Sequence, residues 1–381
     1  MPVVAGVDSS TQACKVEIRD LDSGRLLGSG AAPHPPAFGP RSEQDPASWW
    51  QALETALRTA LHAAGTPGTA VAAVSAAAQC HGLVALDARG EVIRPAKLWN
   101  DTTSAPQLER LRARVGARRW IDLVGSLPTA AFTVSKLSWL KENEPANFAR
   151  LARVCLPHDW LTLRMSGHHV TDRSDASGTG YYSSAQDRYL GEVLELVDPS
   201  RDWEPCLPRV SAPAQAAGTI TADAAGRLGL SRQAVIGAGG GDQHAAALGL
   251  AVTPGDVVYS IGTSGVVYTV SRTPVFDQAG IVDGVADMTG GYLPLICTLN
   301  AARVTAWMAG LLGVTHAQLA EMALSVDAAR APTLAAFLDG ERKPNRPDAR
   351  GVLAGLTSAT TREDLARTAH DGVLLGLVRG E

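Results

Sequence analysis

The chain has little with which to cross-link itself or hold a structural metal. Its 381 residues include five cysteines, Cys14, Cys80, Cys155, Cys206 and Cys297, widely spaced and never arranged as CxxC. That pattern excludes a disulfide framework and a structural zinc site, and it fits a reducing cytosol. Long apolar runs are also missing: the longest Ala/Val-rich stretch, Ala70 to Ala78, is about half a membrane span. No basic segment precedes the strand-like opening MPVVAGVD, so no signal peptide is expected. Charge of one sign is lacking too, since 34 basic residues stand against 38 acidic ones for a formal net charge of −4. Without a basic patch, nucleic acid is not an expected partner, and neither is a membrane. A soluble cytoplasmic protein is the expectation. Two nucleotide signatures are absent as well, GxxxxGK[ST] and GxGxxG with its downstream acid.

What is present is an α/β pattern long enough for two domains. An apolar run, Val3 to Val7, leads through the polar turn Asp8-Ser9-Ser10-Thr11 into the alternating segment Cys14 to Ile18. After a proline-rich loop, Asp45 and Pro46 open a helix that runs to about Ala64, with Asp45 as cap. Val71 to Ala78 reads as a buried strand ending at Gln79-Cys80-His81-Gly82. The stretch from Ser104 to Arg164 reads as mostly helical, Thr171 to Ser184 as a polar, turn-rich patch, and Val210 to Ile220 as linker-like. The pattern restarts with a strand at Ala234, the glycines Gly237 to Gly241, and a helix from Gln243. We therefore expect lobes over 1–233 and 234–381. A second strand–turn–strand, Val257 to Val270 around Gly262-Thr263-Ser264-Gly265, echoes the first, either as a weak internal duplication or as the common likeness of hairpins.

Several residues have chemical and structural readings side by side. Asp242 follows three glycines at the head of a helix, where a carboxylate can act as a general base or simply cap the helix. An acid at that point repels a pyrophosphate, which disfavours a dinucleotide-binding dehydrogenase. The turn at Asp8 to Thr11 can cradle phosphates with backbone N–H groups and the hydroxyls of Ser9, Ser10 and Thr11, with Asp8 supporting Mg²⁺; its composition is also that of an ordinary turn. The same pair of readings holds for Gly262 and Thr263. His81 is either a ligand contact or a satisfied structural histidine, and Trp99 either borders a site or packs before a turn. Trp49 and Trp50 are assigned to the core.

Taken in order, these segments resemble the FGGY family of carbohydrate kinases over nearly the whole chain. Gly6 to Thr11 is similar to its N-terminal phosphate motif, and Ser42 to Pro46 with Trp49-Trp50 to a stretch of its xylulose-phosphorylating members. Gln79 to Gly82 and Trp99 to Asp101 resemble its sugar-contacting segments. Further signatures are matched by Phe132-Thr133 to Lys136, Leu156 to Asp159, Ser174 to Thr179, and Gly340 to Arg342 with Pro344. Gly239 to Asp242 resembles the catalytic motif and Gly262 to Gly265 the second phosphate loop.

The resemblance implies an actin/Hsp70-like fold of two ribonuclease-H-like lobes, with sugar and ATP meeting in a cleft between them. It implies ATP-dependent phosphorylation of a ketose, D-xylulose first, with another ketose or polyol as the alternative and a non-catalytic relative as the rival. Asp242 would take the proton of the terminal hydroxyl, and Asp8 would support Mg²⁺ and the phosphates. Cys80, His81, Trp99 and Gln243 would line the sugar, while Ser9, Ser10, Thr11, Gly262 and Thr263 would face the nucleotide. A homodimer is compatible with this reading. Two departures stand out: relatives commonly carry Met at the position of Cys80, and they continue beyond Glu381 into a glycine-rich adenine-binding segment. The expectation is therefore a truncated chain with its sugar half more complete than its nucleotide half.

Overall fold

The computed structural model of the chain describes all residues except Met1, Thr263, Asn345, Pro347 and 379–381. Alternating apolar residues give strands β1 (Val3–Ser9) and β2 (Ala13–Asp20) one buried face each. They pair antiparallel from Val3 opposite Asp20 to Ser9 opposite Cys14, and β2 pairs onward with β3 (Leu26–Pro33). Helix α1 (Pro46–Ala64) begins where the sequence marks it: Asp45 accepts the Ala47 N–H, Pro46 fills the first turn, and left-handed Gly65 ends it. Its buried stripe holds Trp49, Trp50, Leu53, Ala56, Leu57 and Ala60. The helix rides directly on β3, because a Cβ at Gly28 would stand 2.7 Å from the Ala60 carbonyl and one at Gly30 2.2 Å from that of Ala56.

Strand β4 (Val71–Ala78) lies parallel to β1, with Ala77 opposite Asp8 and Ala78 opposite Ser9. The chain then leaves the sheet and builds a second core around Leu83, Trp120, Phe132, Leu137 and Leu194. This region is mostly helical, as expected, and includes α2 (Thr133–Asn143) and α3 (Pro157–Ser166). Trp160, Leu161 and Met165 of α3 return to the core of the sheet. The polar patch Thr171 to Ser184, which contains the short helix α4 (Arg173–Ala176), is buried throughout. Its polarity serves internal hydrogen bonds rather than solvent.

The linker-like stretch contains strand β5 (Ala216–Thr219), which pairs antiparallel with β6 (Val235–Gly237). It is part of the sheet, not a linker. Both β6 and β7 (Gly240–Gly241) run parallel to β4, and α5 (Asp242–Gly249) follows β7 at once. The restart at residue 234 thus extends the first sheet, whose order is β5-β6-β4-β1-β2-β3 with β7 beside β4. The first compact unit takes in Met1–Ala251 and Val285–Tyr292.

The second unit takes in Val252–Gly284 and Leu293–Glu381. Strands β8 (Val258–Ile261) and β9 (Gly265–Tyr268) form an antiparallel hairpin, and β10 (Tyr292–Thr298) pairs antiparallel with β9. Helices α6 (Ala302–Leu312), α7 (His316–Leu324) and α8 (Arg362–Val378) supply Val304, Met308, Leu319, Ala369 and Leu377 to its two small cores, and β11 (Thr333–Ala335) with β12 (Val352–Ala354) makes a further hairpin. Thr361 and Asp364 cap α8 reciprocally, each side chain accepting the other's backbone N–H. Among the described residues, no helix is long and apolar enough to cross a membrane.

Candidate active site

Three parallel strands of the first unit end at one level. Ser9 of β1 and Gly241 of β7 both lie opposite Ala78 of β4. The segments that follow, Ser10-Thr11, Gln79-Cys80-His81 and Asp242-Gln243, therefore leave the sheet from the same edge. Carboxyl ends of parallel strands are where α/β sheets bind ligands. Asp8 lies one residue before that edge.

Asp242 is the first residue of α5, and Gly241 holds the cap position without a side-chain bond. Instead of capping, the Asp242 carboxylate accepts at Oδ1 from the Gln243 N–H at 2.8 Å and from the Cys80 thiol at 3.4 Å. Among the described residues, these contacts leave Oδ2 to accept from a ligand. Burial pushes the carboxyl up to about 6, and the negative charges of Asp8 and Asp175 add to that; the Cys80 and Gln243 hydrogen bonds oppose it. A carboxylate so tuned is mostly ionised at neutral pH yet basic enough to take a proton.

The glycines before Asp242 answer to packing within the protein. Gly239 has φ +81°, and a Cβ there would lie 2.4 Å from the Ala76 carbonyl. A Cβ at Gly240 would meet the Met288 methyl at 2.6 Å, and one at Gly241 would meet both Cys80 Sγ and His244 Nδ1 at 2.5 Å. The bare backbone lets β7 press against β4 and brings Asp242 to Cys80.

His81 sits in the left-handed region, φ +61°, which a non-glycine residue keeps only when its surroundings hold it. Asp175 supplies that hold: its Oδ1 accepts from the His81 N–H at 3.0 Å and lies 2.8 Å from the ring's Nδ1. Beneath them lies the fully buried His158, with Nε2 at 3.2 Å from Asp159, 3.5 Å from Asp172 and 3.6 Å from Asp175. Burial pushes His158 down, but the three carboxylates outweigh it and the net shift is upward. For Asp175 burial pushes up, and the neighbouring histidines His81, His158 and His244 bring it below the usual carboxylate value. Burial raises Asp159 to about 7 and lowers His244 to about 4. Cys80, His81 and Asp175 bring ligand-type atoms within 4.8 Å of one another, but their own hydrogen bonds already engage these atoms.

The first turn is held by its neighbours. The Ser9 hydroxyl is buried against His34 Nε2 at 3.2 Å, so Ser9 serves as scaffold and only Ser10 and Thr11 present partly exposed hydroxyls. Trp99 donates its indole N–H to Thr11 Oγ1 at 2.9 Å. Gln44, which sequence reasoning marked only as part of a motif, donates to the Thr11 and Pro35 carbonyls and accepts from Trp49 and Gln79. Lys97, fully buried, joins Glu43 at 3.1 Å to Asp101 at 3.0 Å and so ties the segment before α1 to the one after Trp99. Asp8 is half-buried opposite Lys15, whose ammonium lies 3.9 Å away, and its Oδ1 is buried without a hydrogen-bond partner. Burial pushes its carboxyl up, and Lys15 draws it back.

In the second unit, Gly262 lies in the β8–β9 turn, where its carbonyl accepts the Ala302 N–H at the start of α6. Thr263 lies outside the described residues.

Residues 3–249 match the FGGY family of carbohydrate kinases, N-terminal domain, and residues 257–380 match the C-terminal domain of the same family. The xylulose kinase of Streptomyces coelicolor is 45% identical over 380 residues, spanning 99% of this chain and 75% of that relative. Among solved structures, the xylulose kinase from Bifidobacterium adolescentis is 39% identical with a TM-score of 0.85, covering 99% of this chain and 82% of that one. The xylulose kinase from Rhodospirillum rubrum, 26% identical, gives a TM-score of 0.89 over 98% of this chain and 77% of that one. The architecture is that of two α/β domains of the actin/Hsp70-like type.

Proposed function

The chain belongs to the FGGY family of carbohydrate kinases, and on that premise we propose that it transfers the γ-phosphoryl group of ATP to the terminal hydroxyl of D-xylulose. The observation that carries this reading is Asp242, whose partly buried, pKa-raised carboxylate stands at the strand edge shared by the Asp8 turn and His81. Xylulose kinases among the similar proteins support the choice of sugar.

In this reading Oδ2 of Asp242 receives the proton of the terminal hydroxyl as its oxygen attacks the γ-phosphorus and ADP leaves. Oδ1 stays engaged by Cys80 and Gln243, which keeps the carboxylate from turning. His81, with Cys80, Trp99 and Gln243 beside it, binds and orients the sugar. Ser10 and Thr11 are assigned to the nucleotide phosphates. Asp8 fits Mg²⁺, because a buried carboxylate oxygen without a partner is the hard donor that ion takes. Mg²⁺ when bound neutralises charge on the phosphates. The reading also takes the protein as cytoplasmic, in keeping with five cysteines that form no disulfide, and as compatible with a homodimer.

The test is ADP release on a panel of D-xylulose, L-ribulose, L-xylulose and glycerol, compared by kcat/KM. D-xylulose leads the panel in this reading. A higher kcat/KM for another sugar would reassign the substrate and leave the base in place.

A further inference from the structure

Two of the segments that set this chain among carbohydrate kinases have no assigned chemistry, Phe132-Thr133 and Ser174 to Thr179, and both converge on His81. The Phe132 ring stacks on the imidazole with centroids 5.6 Å apart and planes 27° apart. The Thr133 hydroxyl donates to the His81 carbonyl at 3.1 Å. Gly178 lies so close that a Cβ there would fall 1.7 Å from the ring's Cε1 and 2.0 Å from Nδ1. Gly178 needs no unusual φ, so it is glycine for the sake of the ring's space. Asp175 takes the ring edge at Nδ1 and the backbone N–H together. Its second oxygen lies 3.6 Å from Nε2 of the buried His158. Among the described residues, Nε2 of His81 has no hydrogen-bond partner.

We propose that Asp175 and Gly178 are positioning residues that hold His81 as its Nδ1–H tautomer, with Nε2 presented as the acceptor for a hydroxyl of the sugar. The neutral imidazole has one donor and one acceptor nitrogen, and a carboxylate at Nδ1 decides which is which. The stack on Phe132 and the space over Gly178 then set where that acceptor points. The proposal rests on the reading of His81 as a sugar contact. An interaction of this kind is made equally with substrate and transition state, so its loss raises KM and leaves kcat nearly unchanged.

The test has two independent parts. The first uses the unliganded wild-type protein, ¹⁵N-labelled on histidine, at about pH 8, where an imidazole is ordinarily neutral. Long-range ¹H–¹⁵N correlation, with His81→Gln to assign the signal, should show the proton on Nδ1. A proton on Nε2 would overturn the proposal without touching the kinase assignment. The second part is a double-mutant cycle on steady-state kinetics with D-xylulose. His81→Ala, Asp175→Asn and Gly178→Ala should each raise KM by about tenfold, the usual worth of a hydrogen bond that involves a charged or well-placed partner. In the His81→Ala background, Asp175→Asn and Gly178→Ala should add less than about twofold, because they act through the ring that is gone. Multiplying effects would show that they act on the fold at large, and the proposal would fall. Should Asp175→Asn fail to fold, Gly178→Ala carries the same cycle. Wild-type protein inactive on D-xylulose would overturn the substrate reading and leave the tautomer result standing.

Discussion

The thiol of Cys80 donates to Oδ1 of Asp242 across 3.4 Å, joining the ends of two neighbouring parallel strands whose residues are 162 apart in the chain. This contact supports the ionised carboxylate against burial and against the charges of Asp8 and Asp175. In the proposed reading this makes Cys80 one of the groups that set the basicity of Asp242.

One consequence is a pH profile. Asp242 must be ionised to accept a proton, so kcat/KM should fall as pH drops through about 6. Cys80→Ala removes a donor that favours the ionised form, so the acid limb should move to higher pH by about half a unit. A limb that moves to lower pH, or stays in place, would remove Cys80 from this role.

Asp242→Asn should separate activity from stability. Loss of a general base lowers kcat by about 10²–10⁴. The folded-state pKa lies above the unfolded value, so ionised Asp242 works against the fold, and its penalty grows as pH rises from 3.8 to about 6. Asparagine escapes that penalty at neutral pH, and the variant should gain on the order of 2 kcal/mol in chemical denaturation. Measured at pH 4, where wild-type Asp242 is protonated in the folded state, most of the gain should be gone.

Two glycine substitutions should have opposite signs. Gly239→Ala forces a side chain at φ +81° to within 2.4 Å of the Ala76 carbonyl, where backbone on both sides must shift, so a loss of several kcal/mol (about 3 or more) or failure to fold is expected. Gly226 lies in the short helix Ala222–Leu228, is exposed and has nothing within 4 Å of a Cβ, so Gly226→Ala should add about 0.5–1 kcal/mol. Thermal denaturation of both proteins reads the signs directly.

Gln44→Ala removes one buried side chain that bonds to Thr11, Pro35, Trp49 and Gln79 at once. Leaving such partners unmatched should cost about 2–4 kcal/mol. Because the Thr11 carbonyl loses its donor, the phosphate turn should loosen too, and the KM for ATP should rise with kcat little changed. A stability loss without the KM effect would confine Gln44 to the core.

The sequence carried the elements whose causes are local. The alternation in β1 and β2, the Asp45-Pro46 start and Gly65 end of α1, and the placement of Asp242 just after a run of glycines each depend on a few adjacent residues. What escaped it depends on partners far along the chain. His81 meets Asp175 across 94 positions, and no periodicity announces such a pair. Thr171 to Ser184 looks like surface because its residues are polar, yet each is buried, and Asp172 and Asp175 face His158 while Asp175 also meets His81. No local pattern shows what the glycines before Asp242 make room for, and only the packed structure puts the Ala76 carbonyl, Met288, Cys80 and His244 in that space. Ser9 is a similar case: its hydroxyl suits a phosphate, but the strand register turns it toward His34.

In the proposed reaction Asp242 is the base of an ATP-dependent transfer to the terminal hydroxyl of D-xylulose. Its most direct test is a single-turnover reaction with ATP and D-xylulose, followed by ³¹P and ¹³C spectroscopy of the product, for wild type and Asp242→Asn side by side. The wild type should form the 5-phosphate and ADP in equal amounts, with the variant slower by about 10²–10⁴. A variant that forms the same product at the wild-type rate would show that Asp242 is not the base.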